Sequence, residues 1–336
     1  MARPRPAPSA LPRRFRPVRP WSGPHAQTLL GKALRRRSLD GLRRERWTTP
    51  DGDFLDLDFT ADPDPARPLA VVLHGLEGNS RRGYCLEAYA ALAREDIAAV
   101  GVNFRACSGE PNLRARAYHS GETGDLAFVL EGLRDRFPNR VLLALGYSLG
   151  GNVLLKYLGE HGEAEPAEVS GAVAVSVPYD LDAGVRRLEN TFLGRQLYSR
   201  YFLRSLVDKT RLKTHLLDES VHLDAVWNAE SIRAFDEALT APLHGFASAE
   251  DYYRRSSSAG FLPHVRVSTL LLHSLDDPFF AAEAVPRPAM ADNPWLYPVV
   301  TERGGHVGFV GGSLRRPRFW AEESAARFLA GVVRAR

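Results

Sequence analysis

One stretch limits the fold of this chain more than any other: GYSLGG, Gly146 to Gly151. The apolar run Val141 to Leu145 precedes it and reads as a buried strand. Asn152 to Leu158 follow it with apolar residues at helical spacing. A serine between two glycines at a strand-to-helix turn sits in a strained backbone conformation, with its hydroxyl pushed toward solvent. The glycines are needed because strand and helix approach closely there, leaving no room for a side chain. The short pattern alone is common. Its flanking strand and helix distinguish it from a serine in an ordinary turn.

The rest of the chain supplies the layers such a turn requires. Arg44 to Thr49 and Phe54 to Thr60 flank the turn signal Pro50-Asp51-Gly52 and predict an antiparallel hairpin at a sheet edge. Asp53, Asp56 and Asp58 there read as a solvated strand face rather than a metal loop. From residue 69 strands and helices alternate. Strands are expected at Leu69–Leu73, Ile97–Val102, Val141–Leu145, Ser170–Val177, Val265–Leu272 and, last, Trp295–Val300. Helices are expected at Gly83–Arg94, Gly121–Phe137 and Phe319–Val333. This rhythm implies a mostly parallel central sheet with helices on both faces and right-handed crossovers, with ligands at the carboxyl ends of the strands. Between about 178 and 262 the rhythm breaks into helical patterns rich in bulky residues. That segment reads as a helical cap inserted over the site, most of its large side chains forming the cap's own core.

Charge is unevenly spread. Residues 1–39 hold ten Lys or Arg and no acid, while the remainder holds 34 basic and 40 acidic residues. Residues 1–20, with prolines every few positions, read as a flexible basic arm leading into a body at 21–336. Such an arm could make weak contact with an anionic membrane. No aromatic platform, zinc pattern or recognition helix speaks for nucleic acid. No apolar run reaches the roughly 18 residues of a membrane span, and no secretory h-region is visible. Two cysteines, Cys85 and Cys107, give neither a disulfide framework nor metal spacing, so a cytoplasmic location is the expectation.

Serine needs a base to become a nucleophile, and the base needs an orienting carboxylate. Two later loops supply them. After Val265–Leu272 comes HSLDDPFF, with Asp276 and Asp277. After Trp295–Val300 comes ERGGHVGF, with His306. Of ten histidines, His306 alone combines a loop after a strand, preceding glycines and a place near the chain's end. Asp277, directly before Pro278, is favoured over Asp276 as the carboxylate. His74-Gly75-Leu76-Glu77-Gly78 follows the first parallel strand. Its Leu76 N–H, with the Leu149 N–H after the serine, would form an oxyanion hole. His74 is expected to brace that loop, and Cys107 to pack.

These pieces together resemble the YheT-like branch of the α/β-hydrolase superfamily, whose members look like esterases. The matching segments are PHAQTL (Pro24 to Leu29), HGLEG, NFRACSGE (Asn103 to Glu110), YHSGETGD (Tyr118 to Asp125), GYSLGGN, DDPF and GGHVGF. The branch usually has glycine where Ala106 stands, so the local backbone there is expected to differ. The resemblance implies an α/β-hydrolase fold and carries the triad onto Ser148, Asp277 and His306. The reading is a serine esterase cleaving carboxylic esters of short to medium acyl chain, or lipid-like esters, through an acyl-enzyme. It needs neither cofactor nor metal. An acyltransferase on the same triad and a non-catalytic binding protein on this scaffold are the alternatives.

Overall fold

The computed structural model describes residues 5–60, 66–162 and 168–336. Eight strands form one sheet: β1 (Arg43–Thr48), β2 (Phe54–Phe59), β3 (Leu69–Leu73), β4 (Ala98–Asn103), β5 (Leu142–Tyr147), β6 (Gly171–Val175), β7 (Ser268–Ser274) and β8 (Leu296–Thr301). Their spatial order is β1-β2-β4-β3-β5-β6-β7-β8. The β1-β2 and β2-β4 pairings are antiparallel, and all others are parallel. Both faces of the parallel part are covered, which is why its strands are continuous apolar runs. In β3, Leu69, Val71 and Leu73 join one core and Ala70 and Val72 the other, as the pleat dictates. The first core includes residues of α3 (Gly124–Arg136) and α4 (Leu149–His161). The second includes residues of α2 (Gly83–Arg94) and the closing helix Trp320–Arg334.

The insertion between β6 and β7 is built of helices joined by short turns, with no strand among its residues. It contains α5 (Leu181–Asn190), α6 (Arg200–Leu212), α7 (Leu223–Trp227), α8 (Ile232–Phe235), α9 (Ala241–Leu243) and α10 (Ala249–Ser256). π-helical turns at Gly194–Ser199 and Asp236–Thr240 lead into α6 and α9. The insertion has two small cores of its own. One is built on Leu181, Val185, Tyr198, Tyr252 and Tyr253, the other on Val226, Phe235 and Leu239. Most of its bulky residues join these cores, but Phe192, Leu193, Leu197, Tyr201 and Leu212 are exposed.

Three expectations change. The three aspartates near β2 are buried, not solvated. β1 and β4 pair with both edges of β2, and arginine side chains cover its acidic face. Arg44 and Arg81 pair with Asp58, Arg46 with Asp56, and Arg105 with Asp53. Buried carboxylates are tolerated when paired in this way. Second, Trp295–Val300 does not end the strands, because β9 (Val310–Gly312) and β10 (Pro317–Phe319) form a small antiparallel hairpin. Third, the arm thought flexible to Pro20 is docked over the residues described. Phe15 packs edge-on to Phe309 at 5.6 Å between ring centroids and lies 5.3 Å from Trp320. Trp320 Nε1–H donates to Arg13 O and Val18 N–H to Val310 O, both at 2.9 Å. The scattered Phe15 and Val18 outweigh the prolines because each finds an apolar seat. Met1 to Pro4 lie outside the described residues.

Candidate active site

The turn at Ser148 has the geometry its sequence demands. Ser148 takes φ 51° and ψ −120°. A Cβ on Gly146 would lie 2.5 Å from Gly150 O, and one on Gly150 2.5 Å from His74 O. Strand β5 ends at Tyr147 and α4 begins at Leu149, so the serine stands at the joint, on the carboxyl edge of the sheet.

Two other strand ends deliver its partners. His306 Nε2 lies 3.0 Å from Ser148 Oγ, and His306 Nδ1 lies 2.9 Å from Asp277 Oδ2. An Nδ1–H donated to the carboxylate leaves Nε2 as the acceptor facing the hydroxyl. Asp277 is buried and also accepts from Phe279 N–H at 2.8 Å. Asp276 serves the neighbouring loop instead: its Oδ1 accepts from Gly305 N–H at 2.9 Å, and burial raises its pKa. The Phe279 ring stacks on the His306 imidazole at 4.1 Å and fixes its plane.

The histidine loop is held by an element whose role the sequence reading did not give. Helix α1 (Pro24–Leu34) lies beneath it. Thr28 Oγ1 accepts from His306 N–H at 2.9 Å, and Gln27 Oε1 accepts from Val310 N–H at 2.9 Å. The approach is close: a Cβ on Gly305 would meet Pro24 O at 2.5 Å, and Gly305 adopts φ 61°. Ser176 Oγ accepts from Val307 N–H at 3.0 Å. Trp21 to Leu30 read as a stretch packing on the body, and PHAQTL matches the family, but neither says what these residues touch.

The loop after β3 lies against the serine. A Cβ on Gly75 would be 3.1 Å from Ser148 Cβ. Gly75 N–H donates to Tyr84 Oη and Glu77 N–H to Tyr118 Oη, at 3.0 and 2.9 Å, which holds the peptides before Gly75 and after Leu76. Leu149 is the first residue of α4, so its N–H has no acceptor within the helix. Glu77, at φ 53°, is tied to the cap by Ser205 and by Lys209 Nζ at 3.0 Å. His74 braces the same loop, with Nε2 accepting from Phe104 N–H at 3.2 Å and Nδ1 lying 2.8 Å from Gly75 O. Burial pulls its pKa down to about 3. Burial pushes the Cys107 thiol up to about 11, so it packs as a neutral group.

The remaining motifs are scaffolding for this loop and the cap. Arg105 is buried among Asp51, Asp53 and Asp125. Asn152 Nδ2 donates to Ser120 O and Ser256 O, joining α4 to the end of the cap. Ala106 stands at φ 58°, the left-handed region that favours glycine.

Ser148 and His306 open into a cavity of about 440 Å³ between body and cap, walled by Leu181, Leu188, Tyr198, Phe202, Phe279 and others. Among the described residues no cluster of three or more His, Cys, Asp or Glu could hold a metal ion. Nor is any described helix long and apolar enough to cross a membrane.

Known proteins share this architecture. The family model described as the alpha/beta hydrolase fold matches residues 68–313. The chain is 37% identical over 326 residues to the Escherichia coli protein named "Putative esterase YheT", covering 96% of this chain and 94% of that one. It is 31% identical over 293 residues to a monoacylglycerol lipase of Saccharomyces cerevisiae, covering 85% of this chain and 63% of the lipase. The solved esterase Pf2001 of Pyrococcus furiosus superposes with a TM-score of 0.52 at 16% identity, over 88% of this chain and 91% of that one, a likeness of fold alone. The chain belongs to the α/β-hydrolase fold family, as a hydrolase of the esterase and lipase type.

Proposed function

We propose that the chain is a serine esterase that cleaves carboxylic esters of short to medium acyl chain through an acyl-enzyme. The observation that carries this reading is the unbroken hydrogen-bonded run from Asp277 through His306 to Ser148 at the floor of an apolar cavity. As Ser148 Oγ bonds to the ester carbonyl carbon, His306 Nε2 takes its proton. Asp277 keeps the imidazole in the Nδ1–H tautomer and stabilises the imidazolium that forms. The N–H groups of Leu76 and Leu149 donate to the oxyanion. Collapse of the tetrahedral species breaks the bond to the alkoxy oxygen, which takes the proton from Nε2 and leaves as the alcohol. Water, deprotonated in turn by His306, attacks the acyl-serine. The carboxylic acid departs and Ser148 regains its proton. Every group is the chain's own, and the cycle calls on no cofactor.

The cavity walls support an apolar acyl group, and the likeness to a monoacylglycerol lipase supports a lipid-like ester. One experiment tests both chemistry and substrate: kcat/KM for p-nitrophenyl esters of two to sixteen carbons, with the wild type and Ser148→Ala. Each methylene seated in the cavity contributes about 0.8 kcal/mol. Activity is therefore expected to climb from acetyl toward butyryl or hexanoyl, then fall once the chain overfills the cavity. Ser148→Ala is expected to lower kcat by about 10⁶-fold and to abolish labelling by a fluorophosphonate. Labelling that survives the substitution overturns the nucleophile. A flat profile overturns the acyl cavity, and a steady rise to sixteen carbons assigns an open, lipase-like groove.

A further inference from the structure

We infer that the mouth of this cavity is a docking face for an anionic lipid surface. The esterase reading gives that docking its purpose, but the docking does not depend on it. Leu29 of α1 and Phe192, Leu193, Leu197 and Tyr201 of the cap are between 41% and 73% exposed. Leu29, Leu197 and Tyr201 also line the cavity, so the apolar rim borders its opening. Leu193, Leu197 and Tyr201 recur every four residues, which gives a stripe rather than scattered side chains. The α1 side and the cap side are joined: Lys32 Nζ sits 5.1 Å above the Tyr201 ring, and His25 Nδ1 lies 3.0 Å from Tyr198 Oη. Contiguous apolar surface of this kind on a folded chain marks an interaction site.

The charge distribution says what sits there. Residues 186–213 of the cap carry eight Lys or Arg against two acids, and residues 1–39 carry ten against none. All the rest of the chain carries 26 basic against 38 acidic residues. Lys32 of the first stretch lines the cavity against Tyr201, and Arg195 and Arg200 of the second are exposed and flank Leu197 and Tyr201 along the chain. An apolar stripe among cations matches the boundary between phosphate head groups and acyl chains. A second copy in a two-fold contact would set this positive face against itself. A nucleic acid would satisfy the charges but leave the aliphatic stripe unmatched. The membrane contact expected of the basic arm therefore belongs to this face, because the arm is docked through Phe15 and Val18 against Phe309 and Val310 and lines no part of the cavity.

The test uses the full chain carrying Ser148→Ala, so that bound lipid is not turned over. Binding to phosphatidylglycerol–phosphatidylcholine vesicles is compared with binding to pure phosphatidylcholine by co-sedimentation at low and high salt. Binding to the anionic vesicles is expected, weakening as salt rises. Each cation near such a surface is worth about fivefold, so Arg195→Gln with Arg200→Gln is expected to weaken partition about twenty- to thirtyfold. Phe192→Ser with Leu193→Ser is expected to weaken it about tenfold or more. With Ser148 restored, both pairs are expected to leave turnover of a soluble acetyl ester unchanged. Equal binding to both vesicle types, or binding retained by both pairs, overturns the inference. So does turnover of the soluble ester lost together with binding, which would make these residues part of the site's own framework. A dimer seen by sedimentation velocity that dissociates in the Phe192/Leu193 pair would assign the face to a second copy. Vesicle binding in a wild-type chain that hydrolyses no ester would sink the esterase reading and leave the docking intact.

Discussion

Asp276 and Asp277 are the same residue type one place apart, yet their surroundings give them different work. Asp277 faces the imidazole, where the proposed mechanism needs a charge. Asp276 accepts a hydrogen bond from Gly305 N–H, which an asparagine carbonyl oxygen can also accept. Asp277→Asn is therefore expected to lower kcat on a soluble ester by about 10⁴-fold, because the amide favours the wrong imidazole tautomer. Asp276→Asn is expected to lower it far less, since the loop bond survives. Steady-state kinetics on both variants decides, and a reversed order would place the working carboxylate at 276. The sequence favours Asp277 through its position before Pro278 and through the family resemblance of DDPF. Other residue-scale features were not legible at all. Nothing in a string of letters says that Thr28 holds the His306 peptide across 278 positions of chain. The Asp58 carboxylate was misread for a related reason. Alternation in β2 marks two faces but not what covers them, and here Arg44, Arg81 and Ser80 cover the acidic one.

Elements were legible where their sequence carries its own period, and less so where tertiary packing decides. LAVVL of β3 and LLALGY of β5 could be little but buried strands. The docking of the N-terminal segment could not be read, since prolines and arginines without period give no sign of Phe15's seat between Phe309 and Trp320. This changes what truncation should do. Deleting residues 1–18 removes Phe15, Val18 and the Arg13 acceptor of the Trp320 indole from beneath the loop that carries His306. Emptying a buried phenylalanine site alone costs about 3 kcal/mol. At roughly 1–2 °C per kcal/mol for a chain of 336 residues, the truncated protein and Phe15→Ala are each expected to melt a few degrees lower. Differential scanning calorimetry measures this directly. An unchanged melting temperature would mean the segment rests on the body without supporting it. A second element-scale device lies opposite. Glu77 joins the loop after β3 to α6 through Ser205 and Lys209, so the cap and the proposed oxyanion hole share one buried carboxylate.

At the scale of the whole molecule, the order of strands and site loops along the chain was readable, because each site residue follows an apolar run. The cap's outer surface was not. Composition shows that Phe192, Leu193, Leu197 and Tyr201 are apolar, but only the fold shows that they face solvent. Global stability likewise depends on burial that sequence does not reveal, and it sets the response to acid. Burial lowers His74 and His119 to about 3 and His273 to about 4, so all three are neutral in the fold. In the unfolded chain each titrates near 6.5. Between those values the unfolded chain binds protons that the folded one refuses. Stability is then complete above pH 6.5 and falls as the pH drops toward the folded values. Asp236 acts in the opposite sense. Burial raises it to about 6, so the fold takes up its proton before the unfolded chain does, and stability gains below that pH. His244, lowered to about 4 by burial, joins the three, while Asp125, Asp276 and Glu322, raised by burial, join Asp236. The histidines stand furthest from their ordinary value, so the net is a loss of stability as the pH falls below 6, against a total of about 5–15 kcal/mol for a typical domain. The urea midpoint is therefore expected to hold steady above pH 7 and to fall steeply from pH 6 to 4. Its slope in that window is expected to lessen in His119→Gln, which removes one of these histidines. A midpoint unchanged from pH 7 down to 5 would show that these histidines reach water in the folded protein, and that the core around the site is more open than its packing indicates.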